Sequence, residues 1–194
     1  MITHIKGKIT EISPTDVVID LNGIGYLAHI SLNTFSKIQK KEEVFLYTHF
    51  SVKEDSQTLF GFADKSEREM FRLLISVSGI GPGSARSMLS SMATEEIAQA
   101  IMYDNVKAIQ AAKGIGVKTA QRVIIDLKDK VAKIFDADKE FSTSTSNTSK
   151  NEALTALEVL GFHRKQLEKV VDQILLEDPA ASVELIIKRT LKKI

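Results

Sequence analysis

The chain has no cysteine, no tryptophan and only 3 prolines in 194 residues. The missing cysteine excludes disulfides, thiolate metal sites and cysteine nucleophiles. Its 4 histidines, His4, His29, His49 and His163, are scattered without the short spacings that bring two imidazoles to one metal ion. Nothing pairs a nucleophile with its base, so no cofactor and no metal are expected. His49, on a strand pattern, reads as a satisfied core or interface residue. Long apolar runs are missing too. The opening Met1-Ile2-Thr3-His4-Ile5-Lys6 has no signal-type apolar core, no segment reads as a membrane span, and a cytoplasmic protein is expected. Charge of one sign is scarce: the formal net charge is +1, which argues against a surface that holds any polyanion. With 43% hydrophobic residues the chain can still bury a core, and its length suits three small domains.

What the chain does have is a loop written twice. Gly79-Ile80-Gly81 and, thirty-five residues on, Gly114-Ile115-Gly116 each sit between apolar helical runs. The first is flanked by Phe71, Leu74 and Ile75, then Ala85, Met88 and Leu89; the second by Val106, Ile109 and Ala112, then Ala120, Val123 and Ile124. This is the helix-hairpin-helix pattern. Its glycines permit a sharp turn with no side chain between the backbone amides and an approaching group. Helices starting near Gly83 and Lys118 aim unpaired N–H groups and a positive dipole end into that gap, which suits a phosphate. Register is kept through both copies, Ser84 with Thr119 and Arg86 with Gln121, and basic residues gather around them. A lone Gly-x-Gly reads equally well as a tight turn and nothing more. The repetition favours paired phosphate binding by Gly79, Gly81, Gly83, Ser84, Arg86, Lys113, Gly114, Gly116, Lys118, Thr119 and Arg122.

Other glycine-loop chemistries fail on the same residues. A P-loop needs glycine directly before Lys-Ser/Thr, but Val117 precedes Lys118-Thr119 and Ala112 stands at the earlier glycine position. A dinucleotide fingerprint needs glycine at position 84 in a strand-turn-helix unit, and the residue is Ser84 between helical patterns. Charge is also uneven. Residues 1–62 hold six Lys and seven acids, whereas residues 63–135 hold eleven Lys or Arg and eight acids, so the excess lies with the hairpins.

The first sixty residues alternate as strands: Ile2–Ile12, Val17–Leu21, Gly25–Ile30, Val44–Val52 and Leu59–Phe62. Asn22-Gly23 predicts a tight hairpin, and Gly25 a bulge behind it. Five short strands suggest an OB-type barrel. Tyr26, Phe45, Tyr47, Phe50, Phe60 and Phe62 are expected to fill its core, although such aromatics also stack bases in single-strand binders. From Asp64 the period becomes helical, with a capping box at Ser66 and Glu69 and N-caps at Thr94 and Asn105 for helices over Glu95–Tyr103 and Val106–Ala112. A long helix over Lys118–Phe135 closes the unit. Residues 136–151 are polar and read as a flexible linker. A capping box at Ser149 and Glu152 then opens a helix to Leu160, Gly161 turns the chain into a second over Arg164–Leu176, and Ser182 caps a third. The expected fold class is multidomain α+β: a barrel over 1–63, an all-α tandem hairpin domain over 64–135, the linker, and a three-helix bundle over 152–194.

The order of parts, with Gly25-Tyr26, Thr48-His49-Phe50, Lys53-Glu54-Asp55, Leu59-Phe60-Gly61-Phe62, Ser78-Gly79-Ile80-Gly81-Pro82 and Gly114-Ile115-Gly116-Val117-Lys118-Thr119-Ala120, resembles the RuvA family of bacterial Holliday-junction-recognition proteins. The resemblance runs the length of the chain and is strongest from Tyr47 to Leu127. It implies a non-catalytic homotetramer, or two tetramers face to face, that holds four-way junction DNA open and square during recombination, repair and the SOS response. Each subunit would grip one arm through its two hairpins. Glu54 and Asp55 would form an acidic pin that repels phosphates at the crossover; without the resemblance they read as a solvated hairpin tip. The last domain, a UBA-like bundle, would contact the RuvB ATPase, with Leu157, Leu160 and Phe162 either presenting an apolar patch to it or packing their own core. The RuvC resolvase is a further implied partner.

Two positions depart from the family pattern. Gly83 and Val117 stand where relatives often carry lysine, so Arg86, Lys113 and Arg122 are left to compensate. Two other functions stay open on residues alone. One is a hairpin-containing glycosylase or nuclease, for which Asp126 is the nearby carboxylate, although an Asp126–Lys130 ion pair on one helix face reads more simply. The other is an accessory single-strand-binding protein.

Overall fold

Alternation of apolar and polar residues sets the first half of the molecule. In the computed structural model, β1 (His4–Ile12), β2 (Asp16–Leu21), β3 (Ile24–Ile30), β4 (Glu43–Val52) and β5 (Gln57–Phe62) close into a barrel in the order β1-β2-β3-β5-β4. The structure describes residues 1–140, 145–178 and 181–193, which fall into two compact units, Met1–Lys133 and Ile134–Ile194. β3 and β5 pair in parallel; the other neighbours are antiparallel. Inward-facing Ile5, Val17, Ile19, Ala28, Ile30, Val44 and Leu46 form the barrel core. Asn22 and Gly23, at φ 52° and 91°, make the expected tight turn.

Two expectations for this region need correction, and one helix is unexpected. The bulge is not at Gly25, which pairs in register with Asp20, but in β1 between Ile9 and Glu11. A two-residue turn leaves β3 no surplus residue, whereas the extra residue in β1 bends that strand round the barrel. The aromatics do not all fill the barrel. Phe60 and Phe62 pack outward on Phe71, with ring centroids 5.0 and 4.9 Å away, and Phe45 is 43% exposed and stacked on His4. A helix covers the outer side of β5, which is why that strand is buried on both faces. Finally, α1 (Leu32–Ile38) bridges β3 and β4. Ser31 caps it, its Oγ accepting from the Thr34 amide at 3.0 Å.

The helices that begin in the first unit after the barrel are α2 (Lys65–Ile75), α3 (Pro82–Ser91), α4 (Thr94–Met102), α5 (Val106–Gln110) and α6 (Val117–Glu140), the last of which runs past Lys133. The N-cap position of α2 is Asp64 rather than Ser66, without a side-chain capping bond, and the Glu69 carboxylate accepts from Arg68 and Arg72 instead of closing a capping box. α4 starts at Thr94 itself, where the Glu96 carboxylate accepts from the Ala93 amide at 2.8 Å. Asn105 caps α5 as expected, its side chain accepting from the Ala108 amide at 3.1 Å.

α2 carries a buried carboxylate to the barrel. Glu67 accepts hydrogen bonds from the hydroxyls of Ser31 and, at 2.7 Å, Thr34, and the Thr34 hydroxyl also accepts from the Ala63 amide at 3.0 Å. Burial holds the Glu67 carboxyl above the ordinary range, although both hydroxyls oppose it. His49 is not the satisfied residue expected. Its ring lies 5.4 Å from Phe71, and Nδ1 is buried without a partner among the described residues. Burial, with the charges of Arg72 and Arg68, pulls its pKa below the ordinary imidazole value.

In the second unit α7 (Thr145–Val159), α8 (Arg164–Glu177) and α9 (Val183–Lys193) enclose Leu154, Leu157, Leu167, Val171, Ile174 and Ile186. Gly161 turns the chain at φ 97°, and Ser182 Oγ accepts from the Leu185 amide at 3.4 Å. The expected linker is largely replaced by helical backbone, to Glu140 in α6 and from Thr145 in α7, so the capping box at Ser149 falls inside a helix. Neither segment holds a glycine or proline that would end it. Residues 141–144 of that expected linker lie outside the described residues.

Candidate nucleic-acid interface

The two glycine turns are built alike, bond for bond. Ile80 donates its amide to the Val77 carbonyl and Ile115 to that of Ala112, at 3.1 and 3.3 Å; Ala85 donates to Gly81 and Ala120 to Gly116, at 3.0 and 2.9 Å. Gly79 and Gly114 take left-handed φ of 95° and 90°, which reverse the chain before each helix. Ile80 and Ile115 are buried, 6% and 7% exposed, so an apolar plug fixes each apex to the core while the flanking glycines stay at the surface. Gly81 is the N-cap of α3. Among the described residues the amides of Gly83 and Ser84, and of Lys118 and Thr119, have no acceptor within the chain. Each turn therefore presents free N–H donors at the positive end of a helix dipole, a pattern that accepts an anion.

The turns also interlock. A Cβ built on Gly79 would meet Thr119 Oγ1 at 3.7 Å, and one on Gly114 would meet Ser84 Oγ at 3.8 Å. These are equivalent partners exchanged between copies, since Ser84 and Thr119 hold the same place in the repeat. The two turns thus lie side by side, Gly79 by Thr119 and Gly114 by Ser84, and Gly81, Gly83, Gly116 and Lys118 are exposed on the same two turns.

The cations are divided unequally over the two turns. Lys113 and Lys118 are exposed at the second turn. Arg122 Nη1 reaches back to the Ser78 carbonyl at 3.5 Å. Arg86 departs from expectation: its guanidinium turns to the barrel, donating to the Thr15 carbonyl at 3.1 Å with the Asp16 carboxylate 3.9 Å away. Burial alone would raise Asp16, but hydrogen bonds from Thr15 and His29 and the charges of His29 and Arg86 hold it below the usual carboxylate range. Arg86 accordingly joins barrel to hairpins. Asn33 does the same, its Nδ2 donating to the carbonyls of Leu89 and Met92 at 2.6 and 3.0 Å and so closing the C-terminal end of α3. Sequence reasoning missed Asn33 and Thr15, because hydrogen bonds between residues 56 to 71 apart leave no local signal.

Glu54 and Asp55 are exposed at the tip between β4 and β5, where the Lys53 amide donates to the Ser56 carbonyl at 2.8 Å. In the second unit the three apolar candidates separate. Leu157 is fully buried and cannot meet a partner, Phe162 packs against the same core, and Leu160 is 59% exposed. Leu157 belongs to the face of α7 that the three-helix core needs. Asp126 is exposed and makes no ion pair with Lys130 among the described residues; the neighbouring pair is Lys128 with Asp104. No group of three His, Asp or Glu is placed to hold a metal, and no helix is long and apolar enough to cross a membrane, among the described residues.

Family models match along the chain: a RuvA N terminal domain over residues 1–61, a SAM-like helix-hairpin-helix tandem over 71–129, and a RuvA C-terminal domain over 149–194. A protein of Christiangramia forsetii is 60% identical over 194 residues, covering 100% of both chains. One of Flavobacterium psychrophilum is 58% identical over 194 residues, again covering 100% of both. One of Bacteroides thetaiotaomicron is 46% identical over 201 aligned positions and 100% of both chains. All three relatives are named Holliday junction branch migration complex subunit RuvA.

Proposed function

Because the chain belongs to the RuvA family, we propose that its paired turns are the grip on a Holliday junction. It acts as the DNA-binding subunit of a branch migration complex in recombination and repair, recognising the four-way junction by shape and backbone rather than by base sequence. The observation that carries this reading is the doubled set of free amides at Gly83, Ser84, Lys118 and Thr119, held on two adjacent turns in a shared register.

The finer reading follows from the same residues and the family likeness. The chain is not an enzyme by itself, works in the cytoplasm and needs no cofactor; the RuvB ATPase supplies the motive force, and RuvC acts on the same junction. Residues 1–63 form the centre of a homotetramer, alone or stacked as an octamer on DNA. Residues 64–135 grip the arm, and 152–194, through Leu160, meet the motor. Glu54 and Asp55 project four acidic pairs toward the crossover, where their charge keeps phosphates apart and steers single strands between arms.

Titration against a synthetic four-way junction and a linear duplex of equal length tests the reading. The junction should bind far more tightly; equal affinities overturn it. Mass measurement with and without junction decides between four and eight subunits.

A further inference from the structure

The two turns are unequally charged. The thirty-five-residue register sets Ser78 opposite Lys113 and Gly83 opposite Lys118, so the second turn carries two cations of its own where the first carries none. Arg86, the basic residue nearest the first turn in the chain, is occupied with Thr15 and Asp16 of the barrel. The guanidinium that does reach the first turn comes from the other hairpin, where Arg122 Nη1 donates to the Ser78 carbonyl.

We propose that Arg122, although it stands on the helix of the second hairpin, is the phosphate-binding cation of the first turn. The inference rests on the junction-binding reading above and assigns one side chain to one turn within it. The interlock explains how the residue gets there. Thr119 packs against Gly79, so the next turn of α6 is carried to Ser78. The counterpart of Arg122 in the first hairpin is Ser87, which returns no charge to the second turn. Arg122 is exposed, and the Ser78 carbonyl occupies one of its five N–H donors. Among the described residues the rest of the fork has no partner and can meet the oxygens of a phosphate, whose other donors are the amides of Gly83 and Ser84. Each phosphate site then has its own cations: Arg122 beside Ser78, and Lys113 with Lys118 at the second turn.

Position 83 makes this testable. A Cβ there meets nothing within 4 Å and the backbone is not left-handed, so a lysine fits without strain and adds a cation to the first turn. Lysine at Val117, exposed at the second turn, adds the same charge to the wrong place. Junction affinity of the full chain is measured across a salt series for Arg122→Ala in the wild-type, Gly83→Lys and Val117→Lys backgrounds.

In the wild-type background Arg122→Ala should weaken binding about tenfold or more and flatten the dependence of log K on log salt by roughly 0.9 for each engaged subunit, one neutralised phosphate apiece, or about 3.6 for a tetramer. In the Gly83→Lys background the loss should shrink to less than about threefold, because the turn retains a cation, while in the Val117→Lys background it should stay about tenfold. Equal losses in the two lysine backgrounds overturn the assignment. Arg122→Lys keeps the charge and should keep the salt dependence, so loss of that dependence in a variant that melts like the parent also overturns it. A parent chain that does not prefer the junction to duplex removes the functional reading together with this one. A parent that does, with equal losses, removes this one alone.

Discussion

Gly79 lies against Thr119 of the opposite hairpin, 3.7 Å from a Cβ position to the hydroxyl, and Gly114 lies against Ser84 in the same way at 3.8 Å. Each turn is buttressed by the first helical turn of its counterpart, so the two sets of free amides keep a fixed spacing. A binder of one particular duplex geometry needs that rigidity more than it needs charge.

The glycines should divide into two classes. Gly79→Ala and Gly114→Ala force a side chain into left-handed backbone at φ 95° and 90°, costing about 1–2 kcal/mol each in stability. The space is adequate, so the cost is conformational. Gly81→Ala and Gly116→Ala meet no neighbour within 4 Å and need no unusual backbone; they should melt like the parent yet bind the junction less well, because the methyl group stands between amides and phosphate. Thermal melts beside junction titrations check this, and similar melting losses at all four positions would refute it.

Glu67 should couple stability to pH. Glu67→Ala leaves the Ser31 and Thr34 hydroxyls without their shared acceptor and should cost about 2–4 kcal/mol. The folded chain holds a proton on Glu67 more readily than the unfolded chain does. Its contribution is therefore fully present below the ordinary glutamate value and is lost as pH rises through the raised one. Urea midpoints of the parent, measured relative to Glu67→Gln, should fall as pH climbs from about 4 to about 7. A pH-independent difference contradicts the assignment.

Leu157 and Leu160, three residues apart, should behave oppositely. Leu157→Ala removes a fully buried side chain and should destabilise the second unit by about 2–5 kcal/mol. Leu160→Ala alters an exposed position and should leave melting unchanged while weakening stimulation of the RuvB ATPase. Motor stimulation unaffected by Leu160→Ala would place the motor-binding surface elsewhere.

The acidic tip should matter for movement rather than grip. With Glu54 and Asp55 both changed to Ala, junction affinity should hold or rise, since like charge facing phosphate has been removed, and the rate or bias of branch migration should change. A large fall in affinity would contradict the pin role.

Much of this was legible in the sequence, for reasons visible in particular residues. Asn22-Gly23 and the alternation around it announced the barrel, and the repeat announced both turns to the residue. α1 was missed because Leu32–Ile38 is 7 residues long, too short for a helical period to separate from its strand neighbours. The bond from Arg86 to Thr15 spans 71 residues, and local pattern placed that cation at the phosphate instead. Capping boxes misled at Ser66 because Glu69 had a stronger partner pair in Arg68 and Arg72. Leu157 lies in the last turn of α7 and Leu160 just past its end, with the same side chain, so only packing could tell core from surface.

The buried isoleucines at the two apices have a consequence for isotopic exchange. With Ile80 and Ile115 locked inward and their amides bonded to Val77 and Ala112, those two hydrogens should reach deuterium slowly, through an opening that breaks the turn. Their neighbours at Gly83 and Ser84 should exchange at nearly the free-peptide rate until a phosphate covers them. The grip therefore carries its own reporter: a slow pair that gauges the integrity of the clamp, beside a fast pair that gauges its occupancy.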